Sequence, residues 1–350
     1  MEEWPISPLL ARLARTLPEG DILYEPKWDG FRCLVRRENA EVDLRSRNLR
    51  PLGRYFPELV DAFKRLPVRR FIVDGEIIVC EGDRFDFPAL LARLHPAPSR
   101  VERLRRETPA FFVAFDALRT GERNLMGDGA RARREELLRL LDEIAPPLFV
   151  TPATDDLDVA RSWLERFTGN GIDGVIAKPA TSRYEPGKRS ITKIKLERTA
   201  DCVVGGMRLY ADVPLVASLL LGLFENDGSL RHVGVASSFT HERRSELFNE
   251  LAPLADQLEG HPWEQGFGLH ASPLGRLKGA AARWGPEEPA DWTPLTPRVV
   301  CEVAFDQWEG DRFRHPARFK RWRPDRDPGS CTFEQLVTEP VSLNEILSVG

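Results

Sequence analysis

The sequence lacks both glycine-rich fingerprints by which nucleotide-binding proteins are most often recognised. Its 350 residues contain no G-x-x-x-x-G-K-[ST] loop and no G-x-G-x-x-G turn, which excludes a P-loop and a dinucleotide-binding crossover motif. If a nucleotide binds, it must therefore be held without a phosphate-binding loop of this kind.

Cysteines and long apolar runs are also scarce. The five cysteines (Cys33, Cys80, Cys202, Cys301, Cys331) are scattered and never spaced C-x-x-C, which argues against a disulfide framework and a structural zinc site and predicts reduced, mostly buried thiols. The longest apolar stretch, Val213 to Phe224, has 12 residues, too few to span a bilayer. Because the acidic N-terminus has no apolar signal segment, we expect a cytoplasmic protein with no membrane association.

The charge balance excludes a uniformly basic protein. The chain has 50 basic and 54 acidic residues and a formal net charge of -4, so a nucleic-acid surface has to arise from local clustering. Residues 311–326 hold seven Arg or Lys and two Asp, with Phe313, Phe319 and Trp322 among them. Such a run fits a nucleic-acid surface, but a solvated basic loop would have the same composition.

The hydrophobic pattern of the first half of the chain predicts an α/β domain. Apolar residues recur at strand spacing in some segments and at helical spacing in the segments between them. The predicted strands are 31–35, 71–79, 111–115, 172–177 and 191–196, and the predicted helices are 56–66, 130–144 and 155–167.

After Arg198 the pattern changes to that of a five-stranded OB-type barrel. The strand-like runs are 202–207, 215–224, 232–236 and 299–305, with one helix near 242–254. Residues 258–298 are rich in Gly, Pro and Trp without a clear period, and we interpret them as a long surface excursion. We predict domains at 1–198 and 199–330, followed by a tail at 331–350.

The candidate chemistry begins at Lys27 in the segment EPKWDGFR, residues 25–32. Its Asp-Gly pair indicates a turn, so a surface lysine beside a hairpin is the plain alternative. The strand FIVDGEIIV, residues 71–79, adds weight because a two-residue period places Asp74 and Glu76 on one face. Carboxylates on an apolar strand are costly without a partner, which a divalent metal or a ribose hydroxyl would supply.

A second strand presents two lysines in the same way. In ITKIK, residues 191–195, Lys193 and Lys195 share a face, and they repel each other unless an anion lies between them. Phosphate is the natural candidate, whereas a sheet edge protected by lysines is the alternative. Phe115 ends the apolar run of residues 111–115 and could offer its ring to a base or be plain core.

These segments together resemble the covalent nucleotidyltransferase superfamily, and within it the bacterial ATP-dependent DNA ligases of the C group. The ordered motifs are KWDGFR (27–32), SRN (46–48), IVDGE (72–76), FVAFD (112–116), IDGVIAK (172–178), ITKIK (191–195) and RFKRWRPDR (318–326). The resemblance implies an α/β (α+β), ATP-grasp-like nucleotidyltransferase (adenylation) domain followed by an all-β OB-fold domain.

The resemblance also implies a role for each matching residue, with ATP as the cofactor. Lys27 would attack the α-phosphorus of ATP, with Asp29 in the same catalytic motif. Glu25 would lie at the adenine edge, and Phe115 would stack on adenine.

Other matching residues would hold the sugar and the phosphates. Arg32 and Arg47 would contact the ribose and phosphates, and Lys178, Lys193 and Lys195 would hold phosphates.

Two carboxylates would complete the site around a divalent metal, Mg²⁺ or Mn²⁺. Glu76 would bind the ribose hydroxyl or the metal, and Asp173 would be the acidic metal residue of its motif. The family usually has Glu at the position of Asp173, whose side chain is one methylene shorter.

The last motif supplies Arg321, Arg323, Asp325 and Arg326, which would orient the leaving pyrophosphate when the OB domain closes. Arg326 stands where the family commonly has Lys.

The chemistry implied for Lys27 explains why cations should surround it. A free lysine titrates near pH 10.4, so presenting the neutral amine at pH 7 costs roughly 4.6 kcal/mol. A divalent cation and neighbouring Lys or Arg charges lower that cost because they favour the neutral amine. Transfer of AMP to Lys27, then to a 5′-phosphate, and the final attack by a 3′-hydroxyl each need in-line positioning.

The resemblance implies nicked duplex DNA as the substrate and a monomer as the working form. Only 26 residues precede Lys27, which leaves little room for a separate DNA-binding domain. We therefore expect weak, salt-dependent binding of the nick, helped by a repair polymerase or nuclease that presents it.

Alternatives remain at this point. An RNA ligase, a capping-type guanylyltransferase, or a non-catalytic nucleic-acid binder on a decayed ligase scaffold would share much of this pattern. An NAD-dependent ligase is disfavoured, since the sequence has no zinc-type cysteine set and little room before Lys27 for a nicotinamide-binding domain.

Overall fold

The computed structural model describes residues 4–142, 144–211, 213–264, 292–309 and 311–349. The chain divides into two compact units, Met1–Leu196 together with Glu339–Gly350, and Glu197–Thr338. Each unit has a hydrophobic core of its own. The predicted domain limits stay a prediction.

The first unit contains two β-sheets. Its strands are β1 (Ala11–Ala14), β2 (Ile22–Trp28), β3 (Phe31–Glu38), β4 (Glu41–Ser46), β5 (Arg70–Glu81), β6 (Arg84–Phe85), β7 (Ala110–Thr120), β8 (Arg123–Asn124), β9 (Leu148–Val150), β10 (Ile172–Pro179) and β11 (Ile191–Ile194). The smaller sheet has the order β1-β11-β10-β2, and only its β1–β11 pair is parallel. The larger has the order β4-β3-β5-β7-β8, with β6 paired to β5 and β9 to β7.

Helices cover these sheets. In the described part of the first unit they are α1 (Pro57–Arg65), α2 (Phe87–Ala92), α3 (Pro98–Glu107), α4 (Ala130–Leu140) and α5 (Leu157–Phe167). The amphipathic pattern explains their placement: α1 buries Leu59 and Phe63, and α5 buries Trp163 and Phe167. The cap of α5 is Asp156, whose side chain accepts from the backbone N–H groups of Asp158 and Val159.

The Asp-Gly turn after Lys27 joins the two sheets. Strand β2 pairs with β10, whereas β3 pairs with β4 and β5, so the turn carries the chain from one sheet to the other and closes no hairpin. Gly30 is required here because a Cβ at this position would lie 2.2 Å from the carbonyl oxygen of Ile77. Lys27 is thereby fixed where the two sheets meet.

The C-terminal segment belongs to the first unit. Helix α7 (Leu343–Leu347) buries Leu343 and Ile346 in the same cluster as Trp163 of α5, and Val341 joins them. The backbone N–H of Leu343 donates to the Asp83 carbonyl at 3.1 Å. Residues 341–347 thus complete the core beside α5.

The second unit is a five-stranded barrel. Its strands are β12 (Arg198–Leu209), β13 (Val216–Phe224), β14 (Leu230–Ala236), β15 (Thr293–Phe305) and β18 (Arg318–Trp322), with a short hairpin of β16 (Trp308–Glu309) and β17 (Arg312–Phe313). The antiparallel order is β14-β13-β12-β15-β18. A parallel bridge between Ala236 and Ala317, with the Ala317 N–H donating to Val235 at 2.8 Å, closes β18 onto β14.

This closure gives the topology of an OB-fold. Helix α6 (His241–Leu251) lies between β14 and β15 in the chain, as the sequence pattern predicts. The expected α/β unit followed by an all-β OB-type barrel is therefore confirmed.

The predicted surface excursion at 258–298 is wrong at both of its ends. Trp263 is 2% exposed and packs in the barrel core, while residues 293–298 form the start of β15. Its central part, residues 265–291, lies outside the described residues. No helix in the described part of the chain is long and apolar enough to cross a membrane.

Candidate active site

A cavity of about 760 Å³ opens in the first unit, between strands of both sheets. Most of the residues that the sequence singles out in this unit line it. They are Glu25, Lys27, Asp29, Arg32, Arg47, Glu76, Phe115, Lys178 and Lys193. The separate motifs of the sequence are thus brought together in one place.

Lys27 lies beside a carboxylate that it shares with a second lysine. Its Nζ donates to Oδ2 of Asp173 at 2.6 Å, and Nζ of Lys195 is 2.8 Å from the same oxygen. Burial opposes ionisation of Asp173, but the two ammonium groups outweigh it and lower its pKa. Asp173 and Lys195 are not among the residues that line the cavity. Asp173 contacts Lys27, which does line it, and Lys195 contacts Asp173.

Glu76 faces the turn that follows Lys27. Its Oε1 accepts from the backbone N–H of Gly30 at 3.1 Å. Burial raises the pKa of Glu76 to about 8, although Lys27 and Arg32 oppose this shift. Glu76 is therefore a carboxyl group near its titration point at neutral pH.

Asp74 has a cationic partner within the protein. Arg32 donates to both of its carboxylate oxygens, at 3.1 and 2.6 Å, and the hydroxyl of Tyr184 donates to it at 2.7 Å. The Tyr184 hydroxyl also accepts from the backbone N–H of Leu9 at 3.0 Å. The cost of burying Asp74 is therefore offset by Arg32, not by a metal or a ribose, and Arg32 is held in the cavity wall.

Phe115 presents its ring to the cavity with cations at its face. The Arg32 guanidinium carbon is 5.3 Å and the Lys178 Nζ 5.2 Å from the ring centroid. Phe115 is only half-buried and belongs to none of the hydrophobic clusters. Its ring is therefore available for stacking.

Lys178 and Glu25 form a buried ion pair next to this ring. Lys178 Nζ is 2.8 Å from Oε2 of Glu25 and donates to the Phe115 carbonyl at 2.8 Å. Burial raises the pKa of Glu25 while Lys178 opposes the shift. Lys178 is thus fixed at the Phe115 end of the cavity, beside Glu25.

Two further cations line the cavity. Lys193 is half-buried, and burial together with Lys27 and Lys195 lowers its pKa. Arg47 is exposed. These side chains form a positively charged wall suited to phosphate oxygens.

Metal-ligating residues are few. Within the described ranges, no group of three or more His, Cys, Asp or Glu side chains is arranged to hold a metal ion. Glu76 does line the cavity, and Asp173 lies against Lys27 at its edge. Mg²⁺ is commonly held by one or two carboxylates together with substrate phosphates, and this donor set fits that use.

The residues of the last motif lie in the barrel unit. Arg323 donates from Nη1 to both oxygens of Asp201 at 2.9 Å, and its Nη2 donates to Asp325 at 2.9 Å. Arg326 is 3.6 Å from Asp201, and Arg321 pairs with Glu302 at 2.6 Å.

The aromatic residues of the basic run 311–326 serve the barrel core. Phe313 is buried, and Phe319 and Trp322 pack against the same cluster. Arg318 and Lys320 both pair with Glu197. Because acidic partners take up much of its charge, this run is a weaker anion surface than its composition indicates.

Sequence reasoning missed the support beneath the cavity. Asp116 receives two hydrogen bonds from Arg133, at 2.7 and 3.1 Å, and Tyr184 holds Asp74. One signal was available: in α4, Arg133 falls on the same buried face as Leu137 and Leu140. A charged residue on an apolar helical face calls for a buried partner.

Comparison with known families decides the assignment. The family model of the ATP dependent DNA ligase domain matches residues 8–196, and that of the ATP dependent DNA ligase C terminal region matches residues 214–326. The chain belongs to the ATP-dependent DNA ligases. The ligase therefore uses ATP, and its expected family is confirmed.

Individual relatives agree. The ligase is 47% identical to DNA ligase C2 of Mycolicibacterium smegmatis, over 97% of this chain and 96% of the relative. It is 44% identical to DNA ligase C of Mycobacterium tuberculosis, over 98% and 97%. The expected likeness to the bacterial C group is thus confirmed.

A solved structure from a study of Lig E DNA ligases shares the fold. It is 16% identical, with a TM-score of 0.52, and the match covers 90% of this ligase and 99% of that chain. At this identity the likeness concerns the fold alone.

Proposed function

We propose that this protein seals nicks in duplex DNA through an AMP bound covalently to Lys27. The observation that carries the proposal is the position of Lys27: its amine lies in a 760 Å³ cavity, 2.6 Å from Asp173, with Phe115, Glu76 and Lys193 in the walls. A nucleophile, a platform for a base and cations for phosphates are thereby combined in one cavity.

The first step joins Lys27 to AMP. The neutral Nζ attacks the α-phosphorus of ATP, a P–N bond forms, and the bond from that phosphorus to the pyrophosphate oxygen breaks. Lys193 and Lys195 supply positive charge that attracts the phosphates. Asp173 orients Nζ through its 2.6 Å hydrogen bond.

The nucleotide is placed by the surrounding residues. Phe115 stacks on the adenine, whose edge faces Glu25, and Arg32, Arg47 and Glu76 serve the ribose and phosphates. We propose a revised role for Lys178: its position beside Glu25 and the Phe115 ring supports a place at the base end of the site.

Glu76 and Asp173 would hold a divalent cation, either Mg²⁺ or Mn²⁺. The low pKa that two ammonium groups give Asp173 keeps an anionic oxygen beside Lys27, which suits a hard cation. When bound, that ion supplies charge neutralisation at the phosphates.

The next two steps complete the sealing. The AMP passes from Lys27 to the 5′-phosphate at the nick, with breakage of the P–N bond. The 3′-hydroxyl then attacks that phosphate and AMP leaves. Arg321, Arg323, Asp325 and Arg326 would orient pyrophosphate in the first step, so the second and third do not need them for that purpose.

The cellular role that we propose is DNA repair by a monomeric enzyme. A relative from Mycobacterium bovis, 29% identical over 89% of this chain and 37% of its own length, is named multifunctional non-homologous end joining protein LigD. A repair polymerase or nuclease would present the nick and raise its local concentration.

The test is to incubate the protein with ATP and measure the intact mass, then to assay sealing of a nicked duplex. Wild type should gain one AMP, and Lys27→Ala should gain none and seal nothing. Lys64→Ala, which removes an exposed lysine of α1, is the matched control and should behave like wild type. An undiminished adduct in Lys27→Ala would overturn the assignment.

A further inference from the structure

Arg133 lies outside every motif of the nucleotide site, yet it contacts the floor of that site. Its side chain is 0% exposed. Nε donates to Oδ1 of Asp116 at 2.7 Å and Nη2 donates to Oδ2 at 3.1 Å. Asp116 lines the cavity next to Phe115. The guanidinium of Arg133 on α4 therefore contacts the residue that directly follows Phe115.

The ion pair between Arg133 and Asp116 influences which carboxylate Lys178 contacts. Nζ of Lys178 is 2.8 Å from Glu25 but 3.7 Å from Oδ2 of Asp116. Both carboxylates are buried, and either one would attract the ammonium strongly in such surroundings. Because Arg133 already neutralises Asp116 at both oxygens, Lys178 pairs with Glu25.

We propose that Arg133 is a positioning residue for nucleobase selection: by occupying Asp116 it keeps Lys178 on Glu25 and so maintains the preference for ATP over GTP. The inference rests on the proposed function, in which the edge of the base faces Glu25. An ionised Glu25 accepts from the 6-amino group of adenine. Guanine has a carbonyl oxygen at that position, which a carboxylate repels.

Loss of Arg133 would reverse this arrangement. Asp116 would remain charged and buried without its main partner, and it would draw Lys178 away from Glu25. Burial raises the pKa of Glu25, and Lys178 and Arg134 oppose the shift, so the loss of Lys178 would raise the pKa further and favour the protonated form. A protonated Glu25 donates a hydrogen bond, which the guanine carbonyl accepts.

A purely structural role makes a different prediction. Nη1 of Arg133 also donates to the carbonyls of Asp128 and Ser182, at 2.7 and 2.8 Å. These bonds tie two loops together, and the second loop carries Tyr184. If Arg133 acts only through these two hydrogen bonds, removing the charge of Asp116 should have no effect in a variant that already lacks Arg133.

The experiment compares Arg133→Gln with the double variant Arg133→Gln, Asp116→Asn. The readout is kcat/KM for formation of the covalent nucleotide adduct, measured with ATP and with GTP, alongside the thermal unfolding midpoint. Arg133→Gln should lower the ATP-to-GTP ratio by about ten- to a hundredfold, the factor that one hydrogen bond to a charged group contributes. The double variant should recover most of the ratio, because no charge at position 116 then competes for Lys178.

Each outcome is decisive. A wild-type ratio in Arg133→Gln, or no recovery in the double variant, overturns the inference. Should Arg133→Gln not fold, Arg133→Met takes its place, since it keeps a long unbranched side chain without the charge; an unchanged ratio in that variant also overturns the inference. If wild type forms no adduct with either nucleotide, the proposed function itself fails, which is a separate result.

Discussion

The carboxylate of Asp173 lies 2.6 Å from the ammonium of Lys27 and 2.8 Å from that of Lys195. One carboxylate thus separates two cations that would otherwise repel each other, and it fixes the direction of the Lys27 amine, the proposed nucleophile. The sequence pattern predicts an anion, naturally phosphate, between Lys193 and Lys195. The structure instead places the Asp173 carboxylate between Lys195 and Lys27, so the predicted phosphate stays a prediction.

Asp173→Asn should slow formation of the Lys27 adduct by about a hundredfold, the penalty associated with a small misplacement of reacting groups. Asp173→Glu is the matched control: it keeps the charge and places the residue that the family usually has, so it should retain most of the activity. Single-turnover adduct formation followed by mass measures both. A wild-type rate in Asp173→Asn would mean that the carboxylate does not orient Lys27.

Glu76 should make stability depend on pH. Its pKa is raised from 4.5 to about 8, so between these values the folded protein holds a proton that the unfolded chain has released. The contribution of Glu76 to the free energy of unfolding is therefore fully present below pH 4.5 and is lost as the pH rises from there through about 8. Denaturant unfolding at pH 5 to 9 should show a smaller decrease for Glu76→Gln than for wild type. Equal slopes would show that Glu76 titrates normally.

Phe112 and Phe115 both lie on β7, and they should respond differently to truncation. Phe112 is 0% exposed in the core, whereas Phe115 is half-buried at the cavity. Phe112→Ala should cost about 3–5 kcal/mol of stability. Phe115→Ala should leave stability nearly unchanged and weaken ATP binding by the roughly 0.5–1.5 kcal/mol of a stacked pair. Unfolding of Phe115→Ala with normal ATP binding in the folded fraction would make Phe115 a core residue.

The sequence predicts this site better than it predicts the fold around it. Motifs such as KWDGFR and ITKIK can be recognised locally, because the first contains an Asp-Gly turn signal and the second places its lysines at the two-residue period of a strand. The partners of those residues come from distant segments. Tyr184 meets Asp74 across 110 residues of chain, and no local pattern encodes such a contact.

The barrel illustrates the same limit. The predicted strands included four of its five main strands. The fifth, β18, lies in the basic segment 318–322, where the many charged residues obscure the alternation of apolar and polar residues that identifies a strand. Its inward Phe319 and the neighbouring Trp322 pack against the core. Only pairing with β15 and closure at Ala317 identify this segment as a strand.

Residues 341–347 should stabilise the first unit and not the barrel. Val341, Leu343 and Ile346 are each 5% exposed or less, within the core beside Trp163. Changing all three to Ala should destabilise the first unit by several kcal/mol, since each truncation of a buried aliphatic side chain costs about 1–5 kcal/mol. Asn344→Ala, at an exposed position of the same helix, is the control. Chemical denaturation should show an earlier first-unit transition; an unchanged one would mean that the segment contributes nothing to this core.

Substitutions of Arg323 and Arg326, in the last motif, should differ in their effect on stability but share an effect on catalysis. Arg323 is held by Asp201 and Asp325, with 19% of its side chain exposed, whereas Arg326 is 40% exposed and 3.6 Å from Asp201. Arg323→Ala leaves Asp201 with little compensation and should lower stability. Arg326→Ala should leave stability unchanged.

Both variants should nevertheless slow the reaction of the enzyme with ATP, because we assign both arginines to the leaving pyrophosphate. Sealing of a pre-adenylated nick releases AMP and needs no pyrophosphate contact, so it should decrease much less. Arg321→Ala, which frees Glu302, gives a comparison at a third position of the same motif. The two rates are to be measured separately for each variant at one salt concentration, since phosphate contacts to DNA weaken as salt rises. Equal losses in both assays would mean that these arginines bind DNA in general and do not act on pyrophosphate.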